Sequence, residues 1–211
     1  MTLANEIAET FRGFKTFTFR DIRIALTENH RKISDKTIQV TISRMVKKGR
    51  IYPVMKGVFS LKRDDGLVGF AFSPFYYGGM AALMVREMID DQVKMEVMTT
   101  RTVKRSFVDI YGGSSRAVLH HLPKKYYFGF GDVKYGSITV PVSDAEKTLI
   151  DLFYYRIGLP IQDYSELLRA IRRKRLMKYL KPYNRRIRNI VTNFVRKYKG
   201  HADAGELRSP Y

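Results

Sequence analysis

Apolar residues at helical spacing mark two segments at the start of the chain. They predict a first helix over residues 3–13 and a second over about residues 20–28, separated by a short β-like run at residues 16–19. Leu3, Ile7, Phe11 and Phe14 recur at helical spacing along and just after the first helix, and Ile22, Ala25 and Leu26 mark the second. The polar stretch of residues 29–32 then predicts a turn.

A third helix follows, with the clearest boundaries in the chain. Ser34 suits the N-cap, Asp35 places a carboxylate in the first turn, and Gly49 follows the last turn. One narrow face is apolar and is formed by Ile38, Ile42, Met45 and Val46. The opposite face therefore carries Lys36, Thr37, Val40, Ser43, Arg44 and Lys47, with Gln39 and Lys48 at its margins.

Residues 51–61 predict a two-stranded hairpin. Two β-like runs, 51–54 and 58–61, flank the turn formed by Lys56 and Gly57. Pro53 has no backbone N–H to donate, so we expect its strand at the edge of a sheet. Three helices followed by such a hairpin predict a winged helix-turn-helix domain over residues 1–63.

The polar face of the third helix has the side chains of a DNA-reading surface, because the major groove admits one α-helix whose residues reach base edges. For contacts with bases we expect Lys36, Thr37, Gln39, Val40, Ser43 and Arg44. For contacts with phosphates we expect Lys47, Lys48, Arg50, Lys56 and Lys62. The alternative is a winged helix that binds protein and carries solvated charges. The absence of any acidic residue on this helix after Asp35 argues against that alternative.

Residues 66–142 predict mixed α and β structure. The uncharged run of residues 66–85 approaches the length of a membrane span, but glycines and the Ser73-Pro74 pair interrupt it. We interpret it as the strand, turn and helix of a buried core, with the strand at 67–72 and the helix at 75–90. Further strands are predicted at residues 94–99, 102–111, 117–122, 126–131 and 137–142.

Helices dominate the rest of the chain. Ser143 is the expected N-cap of a long helix, with Asp144 in its first turn and Glu146 completing a capping box. Three more helices are predicted at about residues 163–172, 174–181 and 184–199. The predicted fold class is α+β. It comprises the winged helix-turn-helix (1–63), a mixed α+β domain that ends in a helical, strongly basic region (67–200), and a flexible tail (201–211).

The formal net charge of +19 makes a polyanion the expected partner, with an anionic membrane surface as its rival. Residues 1–63 carry 14 basic and 5 acidic side chains, residues 64–165 carry 11 and 12, and residues 166–211 carry 14 and 3. No acid occurs from Leu167 to Ala202. We therefore expect a second surface, for nucleic acid or a protein partner, formed by Arg172, Arg173, Arg185, Arg186, Arg188, Arg196 and Lys197. A lipid partner is disfavoured, because the apolar face of the last helix is needed for packing.

Candidate catalytic and metal-binding motifs are weak. The chain has no cysteine, which fits a reducing cytoplasm, and its N-terminus lacks the apolar core of an export signal. His120 and His121 are neighbours on a predicted strand, so their side chains point to opposite faces and cannot share a metal. Residues 112–115 have the Gly-Gly-Ser-Ser sequence of a nucleotidyltransferase turn, but the paired acids that such a site needs are missing. We expect no catalytic residue, no metal, no cofactor and no enzymatic activity.

Three segments are similar to a known family. They are KGRIYPVMKGVFSL at residues 48–61, SPFYYGGMAAL at 73–83 and YYFGFGDVKYGSITVPVSDAEKTLIDLFYYR at 126–156. In this order they resemble the AbiEi-type antitoxins of type IV toxin-antitoxin (abortive infection) systems, over most of residues 1–160. The resemblance implies an N-terminal domain that represses the protein's own operon and a C-terminal domain that neutralises a cognate AbiEii-like nucleotidyltransferase toxin.

These observations together predict a cytoplasmic DNA-binding antitoxin and autorepressor. Its expected partners are double-stranded operator DNA and the toxin, with no membrane, and a symmetric operator would require a dimer. The alternative is a stand-alone winged-helix transcriptional regulator without a toxin partner, and the neighbouring gene separates the two. A nucleic-acid-modifying enzyme is the third hypothesis, and it would need a carboxylate pair that the motifs do not supply.

Overall fold

The computed structural model describes residues 2–29, 33–90, 92–111 and 116–203. The predicted polar turn, the Gly-Gly-Ser-Ser turn and most of the predicted tail lie largely or wholly outside these ranges. The chain divides into two units, one comprising Met1–Phe72 with Val108–Arg116 and the other Ser73–Phe107 with Ala117–Tyr211. Helices and two separate sheets make up the fold, which confirms the α+β class.

The first unit contains three helices and a small antiparallel sheet. Its elements are α1 (Leu3–Thr10), β1 (Phe17–Thr18), α2 (Phe19–Asn29), α3 (Asp35–Lys47), β2 (Tyr52–Met55), β3 (Val58–Ser60) and a 3₁₀ helix (Asp65–Phe72). The sheet order is β1-β3-β2. Strand β2, which carries Pro53, is therefore an edge strand, as predicted. Gly57 in the hairpin turn has φ +77°, a conformation that favours glycine.

Helix α3 begins and ends where the sequence predicts. The Ser34 hydroxyl accepts a hydrogen bond from the Thr37 N–H at 3.1 Å, which satisfies one of the free donors of the first turn. Gly49, just past the helix, has φ +63°. The apolar face is buried against α1, α2 and β1, in a core that contains Ile7, Phe11, Phe17, Ile22, Leu26, Ile38, Ile42, Met45 and Ile51.

The second unit is built on a larger mixed sheet with helices. Its elements are β4 (Phe75–Tyr77), α4 (Gly79–Val85), β5 (Met95–Thr99), β6 (Phe107–Asp109), β7 (Arg116–His121), β8 (Phe130–Tyr135), β9 (Ile138–Ser143), α5 (Ala145–Tyr155), α6 (Tyr164–Ala170), α7 (Arg173–Leu180) and α8 (Arg185–Asp203). The strand order is β6-β7-β5-β4-β9-β8. Residues 108–116, which include most of β6 and the first residue of β7, belong to the first unit. Strands β4 and β9 are parallel, as are β5 and β7, whereas β4–β5 and β8–β9 are antiparallel.

Two predictions for residues 66–90 are wrong. The predicted strand at 67–72 is a 3₁₀ helix, because the Asp64 carboxylate and carbonyl accept hydrogen bonds from the N–H groups of Gly66 and Leu67 and start a turn. The predicted helix at 75–90 begins as strand β4, whose aromatic side chains are all buried, as in the centre of a sheet. Helix α4 starts only at Gly79, which has φ +55°.

Three predictions further along are also wrong in detail. Residues 102–111 form only the short strand β6, and residues 126–131 contain the end of a 3₁₀ helix (Lys124–Tyr126) before β8 begins at Phe130. Ser143 is the last residue of β9, and Asp144 is the true N-cap of α5, its carboxylate accepting the Lys147 N–H at 2.9 Å. Glu146 does not complete a capping box, since its carboxylate accepts the Arg172 N–H at 2.8 Å.

The helices of the second unit share one core with the sheet. Helix α8, the longest, contributes Ile187, Val191, Val195 and Ala202 to it and continues to Asp203, past the predicted end at residue 199. At its start the Asn184 side chain accepts the Ile187 N–H at 3.0 Å. In the described ranges every helix is too short or too polar to cross a bilayer.

Candidate nucleic-acid interface

The side chains assigned to DNA from the sequence all lie on the surface of the first unit. They are Lys36, Thr37, Gln39, Val40, Ser43, Arg44, Lys47, Lys48, Arg50, Lys56 and Lys62. Eight of them lie on α3 or directly after it. Val40 is 42% exposed although it is apolar, so its methyl groups are free to contact a ligand such as a thymine methyl group.

The exposed face of α3 has two flanks. On the hairpin side, Gln39, Ser43 and Lys47 border a cavity against β2 and β3. On the α1 side, Arg44 and Lys48 lie with Arg50 around a groove that Thr2, Leu3 and Ala4 complete. Lys36 and Val40 lie on the ridge between the flanks, since one helical turn separates them on the exposed face.

Most cations on this face have no acidic neighbour. In the described ranges, no carboxylate lies within 4.0 Å of the charged atoms of Lys36, Arg44, Lys47, Lys48 or Lys56. The one acid of α3, Asp35, lies 3.7 Å from the Arg23 guanidinium at the N-terminal end of the helix. Within the described ranges these cations are therefore not neutralised by ion pairs, which suits a polyanion.

The cavity on the hairpin side is apolar and has a volume of about 550 Å³. Its lining consists of Phe19, Gln39, Ile42, Ser43, Val46, Lys47, Pro53, Met55, Lys56, Gly57, Phe59 and Tyr111. Tyr111 comes from the sequence-distant segment Val108–Arg116, and its backbone N–H donates a hydrogen bond to the Val54 carbonyl of β2 at 2.9 Å. Sequence reasoning missed Tyr111, because the pattern of residues 102–111 predicts an ordinary strand.

The second basic surface is formed by residues of α7 and α8 and by Arg172, which directly precedes α7. Arg172, Arg173, Arg185, Arg186, Arg188, Arg196 and Lys197 are all exposed. Among the described residues none of these seven forms an ion pair, whereas Arg169 pairs with Glu166 and Arg175 with Asp144. Lys199, on the same helix as Arg196 and Lys197, is half-buried, and its ammonium donates to the Leu168 carbonyl at 2.7 Å.

The second unit also contains a buried polar cluster. The Lys147 ammonium pairs with the Asp151 carboxylate, and the Tyr76 hydroxyl donates to the other oxygen of Asp151 at 2.9 Å. All three side chains are fully buried. Burial raises the pKa of Asp151, while the charge and hydrogen bond of Lys147 act in the opposite direction.

The two histidines point away from each other, as predicted from strand geometry. His120 Nε2 lies 3.6 Å from the Glu96 carboxylate, and His121 Nδ1 lies 3.1 Å from the Arg101 carbonyl. Within the part of the chain that the structure describes, no three His, Asp or Glu side chains come together as metal ligands.

Comparison with known proteins supports the fold alone. The chain matches no protein-family model and no curated protein. Among solved structures it is similar to the Rv2827c protein from Mycobacterium tuberculosis, with a TM-score of 0.61 and 12% sequence identity. That similarity covers 100% of this chain and 83% of the Rv2827c chain, so the fold occurs in a protein of very different sequence.

Proposed function

We propose that the first unit is a winged helix-turn-helix that binds double-stranded DNA, with α3 as the recognition helix and the β2–β3 hairpin as the wing. The observation that carries this proposal is the face of α3, where exposed hydrogen-bonding side chains are surrounded by cations with no acidic neighbour. A surface that only needed to be soluble would mix both charges, whereas α3 carries no acidic residue after Asp35.

The position of each side chain suggests its role. Lys36, Thr37 and Val40 lie in the first half of α3, the half that enters the major groove in helix-turn-helix proteins. Arg44 and Lys47 follow on the same face, and Lys56 lies at the turn of the hairpin, within reach of the phosphate backbone. Base contacts then give specificity, and phosphate contacts fix the position of the domain on the duplex.

The test is fluorescence anisotropy with a labelled duplex from the protein's own upstream region. Arg44→Ala and Lys47→Ala should each weaken binding, and the logarithm of the affinity should fall with the logarithm of the salt concentration by about 0.9 per neutralised phosphate. Lys134→Ala is the matched control, since Lys134 is an exposed cation on β8 of the second unit. Binding that is insensitive to salt, or unchanged in both variants, would refute the proposal.

We also propose that the protein acts as an antitoxin that represses its own operon and neutralises a nucleotidyltransferase-like toxin. This role rests on the resemblance of residues 48–61, 73–83 and 126–156 to AbiEi-type antitoxins, and the unpaired cations of α7 and α8 offer a surface for the partner. The test is co-expression with the product of the neighbouring gene. Growth arrest by that product alone, relieved by this protein, supports the role. If the neighbouring gene encodes no such toxin, the result favours the alternative, a stand-alone winged-helix transcriptional regulator.

A further inference from the structure

We propose that the cavity between α3 and the β2–β3 hairpin binds a small amphipathic anion, with an aromatic or other apolar body and one carboxylate or sulfonate group, and that this ligand competes with DNA. The competition rests on the proposed DNA-binding function, whereas the ligand site itself does not. A volume of about 550 Å³ lies within the range of small-molecule sites, roughly 300–1,000 Å³.

The apolar side chains that line the cavity favour a ligand with an apolar body. Ile42 and Val46 of α3 and Phe59 of β3 are lining residues, together with Pro53 and Met55 of β2. Such a lining suits a hydrocarbon or aromatic ring system and offers little to a sugar or a phosphate, whose polar groups would lose their water without replacement.

Two lysines among the lining residues favour a ligand with a negatively charged group. Lys47, the last residue of α3, and Lys56, in the hairpin turn, both line the cavity and come from different elements. Neither has a carboxylate within 4.0 Å in the described part of the chain. A ligand carboxylate or sulfonate would supply that missing partner through charge-assisted hydrogen bonds.

Tyr111 completes the cavity from a segment that is distant in sequence. Its backbone is attached to β2 by the hydrogen bond to Val54, and the Asp109–Arg116 ion pair at 2.8 Å joins the two ends of the segment. The Tyr111 side chain is 52% exposed, so an aromatic ring stands at the cavity without being needed to fill the core. An aromatic wall of this kind can stack on a planar ligand.

The ligand site and the proposed DNA face share side chains. Gln39, Ser43 and Lys47 line the cavity and also belong to the surface assigned to bases and phosphates. A bound anion would occupy their hydrogen bonds and place negative charge where a phosphate should lie. Ligand and duplex therefore exclude each other, which would make the small molecule an inducer of a repressed promoter.

The first experiment is a fluorescence titration of the full chain with 1-anilinonaphthalene-8-sulfonate, an aromatic sulfonate, in the absence of DNA. We expect one saturable site. Lys47→Gln/Lys56→Gln should bind about tenfold more weakly, because charge-assisted hydrogen bonds are lost. Lys36→Gln/Lys48→Gln, which removes the same net charge from the other parts of the α3 face, should bind like the unmodified protein. N-phenyl-1-naphthylamine, which lacks the sulfonate, should not distinguish the two double variants.

Tyr111→Ala is the second variant, and circular dichroism checks that it folds. It should weaken binding of the sulfonate as well, since the aromatic wall is removed. The site would be refuted if the two double variants bound the sulfonate equally well. It would also be refuted if neither Tyr111→Ala nor Lys47→Gln/Lys56→Gln lost affinity for the sulfonate. A dimer in sedimentation that Tyr111→Ala dissociates would instead show that a second copy fills the cavity, which also overturns it.

Adding the upstream duplex then tests competition. Release of the bound sulfonate by DNA supports the shared surface, and simultaneous binding of both overturns the regulatory part of the proposal. Failure of the duplex to bind at any salt concentration would refute the DNA-binding function while leaving the result of the first titration intact.

Discussion

The Lys147 ammonium and the Asp151 carboxylate, one turn apart on α5, form an ion pair that is completely excluded from solvent. Tyr76 donates its hydroxyl to Asp151, and the rings of Tyr76, Phe128 and Tyr183 lie 5.3 to 5.9 Å from the Lys147 nitrogen. The pair thus lies among aromatic rings at the centre of the second unit. The opposite charge, the Tyr76 hydroxyl and the faces of the aromatic rings take the place of the water that would otherwise solvate the two charges.

Removing one member of this pair should destabilise the second unit strongly. Lys147→Met and Asp151→Asn should each cost about 3–5 kcal/mol, because the remaining polar group is left buried without its partner. The double variant Lys147→Met/Asp151→Leu should cost less than either single change, since no charge stays buried. Urea denaturation followed by circular dichroism measures this, with exposed Lys134→Met as control. Single-variant losses below about 1 kcal/mol would show that the pair is not needed.

The same region should make the protein unstable in alkali. Burial raises the pKa of Tyr76, Tyr155 and Tyr183 well above the ordinary value, and the charge of Asp151 raises it further. In the unfolded chain these hydroxyls ionise near pH 10. The folded state therefore retains protons that the unfolded state releases, so the stability is complete below about pH 10 and falls as the pH rises above it.

Absorbance at 295 nm measures tyrosine ionisation directly. Of the 14 tyrosines, the exposed ones should ionise first, while Tyr76, Tyr155 and Tyr183 should ionise only together with the loss of the circular dichroism signal. Tyr52→Phe, which removes a hydroxyl of the first unit, should leave that second phase unchanged. Complete ionisation of all tyrosines before unfolding would contradict the prediction.

The ends of α3 show why the first unit was predictable from sequence. Ser34 and Gly49 act through local hydrogen bonds and local backbone geometry, and the 3.6-residue period separates the buried Ile38 from the exposed Val40. The helical period determines which side chains of α3 are exposed. For this reason, the α3 residues that were predicted to face DNA all lie on the surface. The place of Tyr111 could not be predicted in this way, because its hydrogen bond to Val54 joins residues far apart in the chain.

The second unit was harder to predict, because tertiary contacts outweighed local patterns there. Ser143 and Asp144 are both good N-caps, but strand pairing of β8 with β9 holds Ser143 in the sheet and leaves Asp144 to cap α5. Tyr76 has an aromatic neighbour on each side, and only its place between β5 and β9 decides that the run is a strand. The buried Lys147 had no local signal at all.

The N-cap of α3 links stability to the proposed interface. Ser34→Ala removes the acceptor of the Thr37 N–H and should destabilise the first unit by about 1 kcal/mol. Ser34→Asp keeps an acceptor at the same place and should retain the stability. Urea denaturation of the full chain, monitored with a fluorophore attached to the first unit, measures both. An equal loss in Ser34→Asp and Ser34→Ala would show that the capping hydrogen bond is not responsible.

Substitution of the cations at the start of α8 distinguishes two kinds of partner, DNA and protein. If Arg185, Arg186 and Arg188 bind DNA, their triple Ala variant should bind the upstream duplex with a shallower salt dependence, by about 0.9 in slope for each phosphate that is no longer neutralised. If they bind a protein partner, the slope should stay unchanged while neutralisation of the co-expressed toxin is abolished. Lys124→Ala/Lys125→Ala/Lys134→Ala removes the same charge elsewhere in the second unit and serves as the control. A triple Arg variant that keeps both the slope and the neutralisation would exclude this surface from either role.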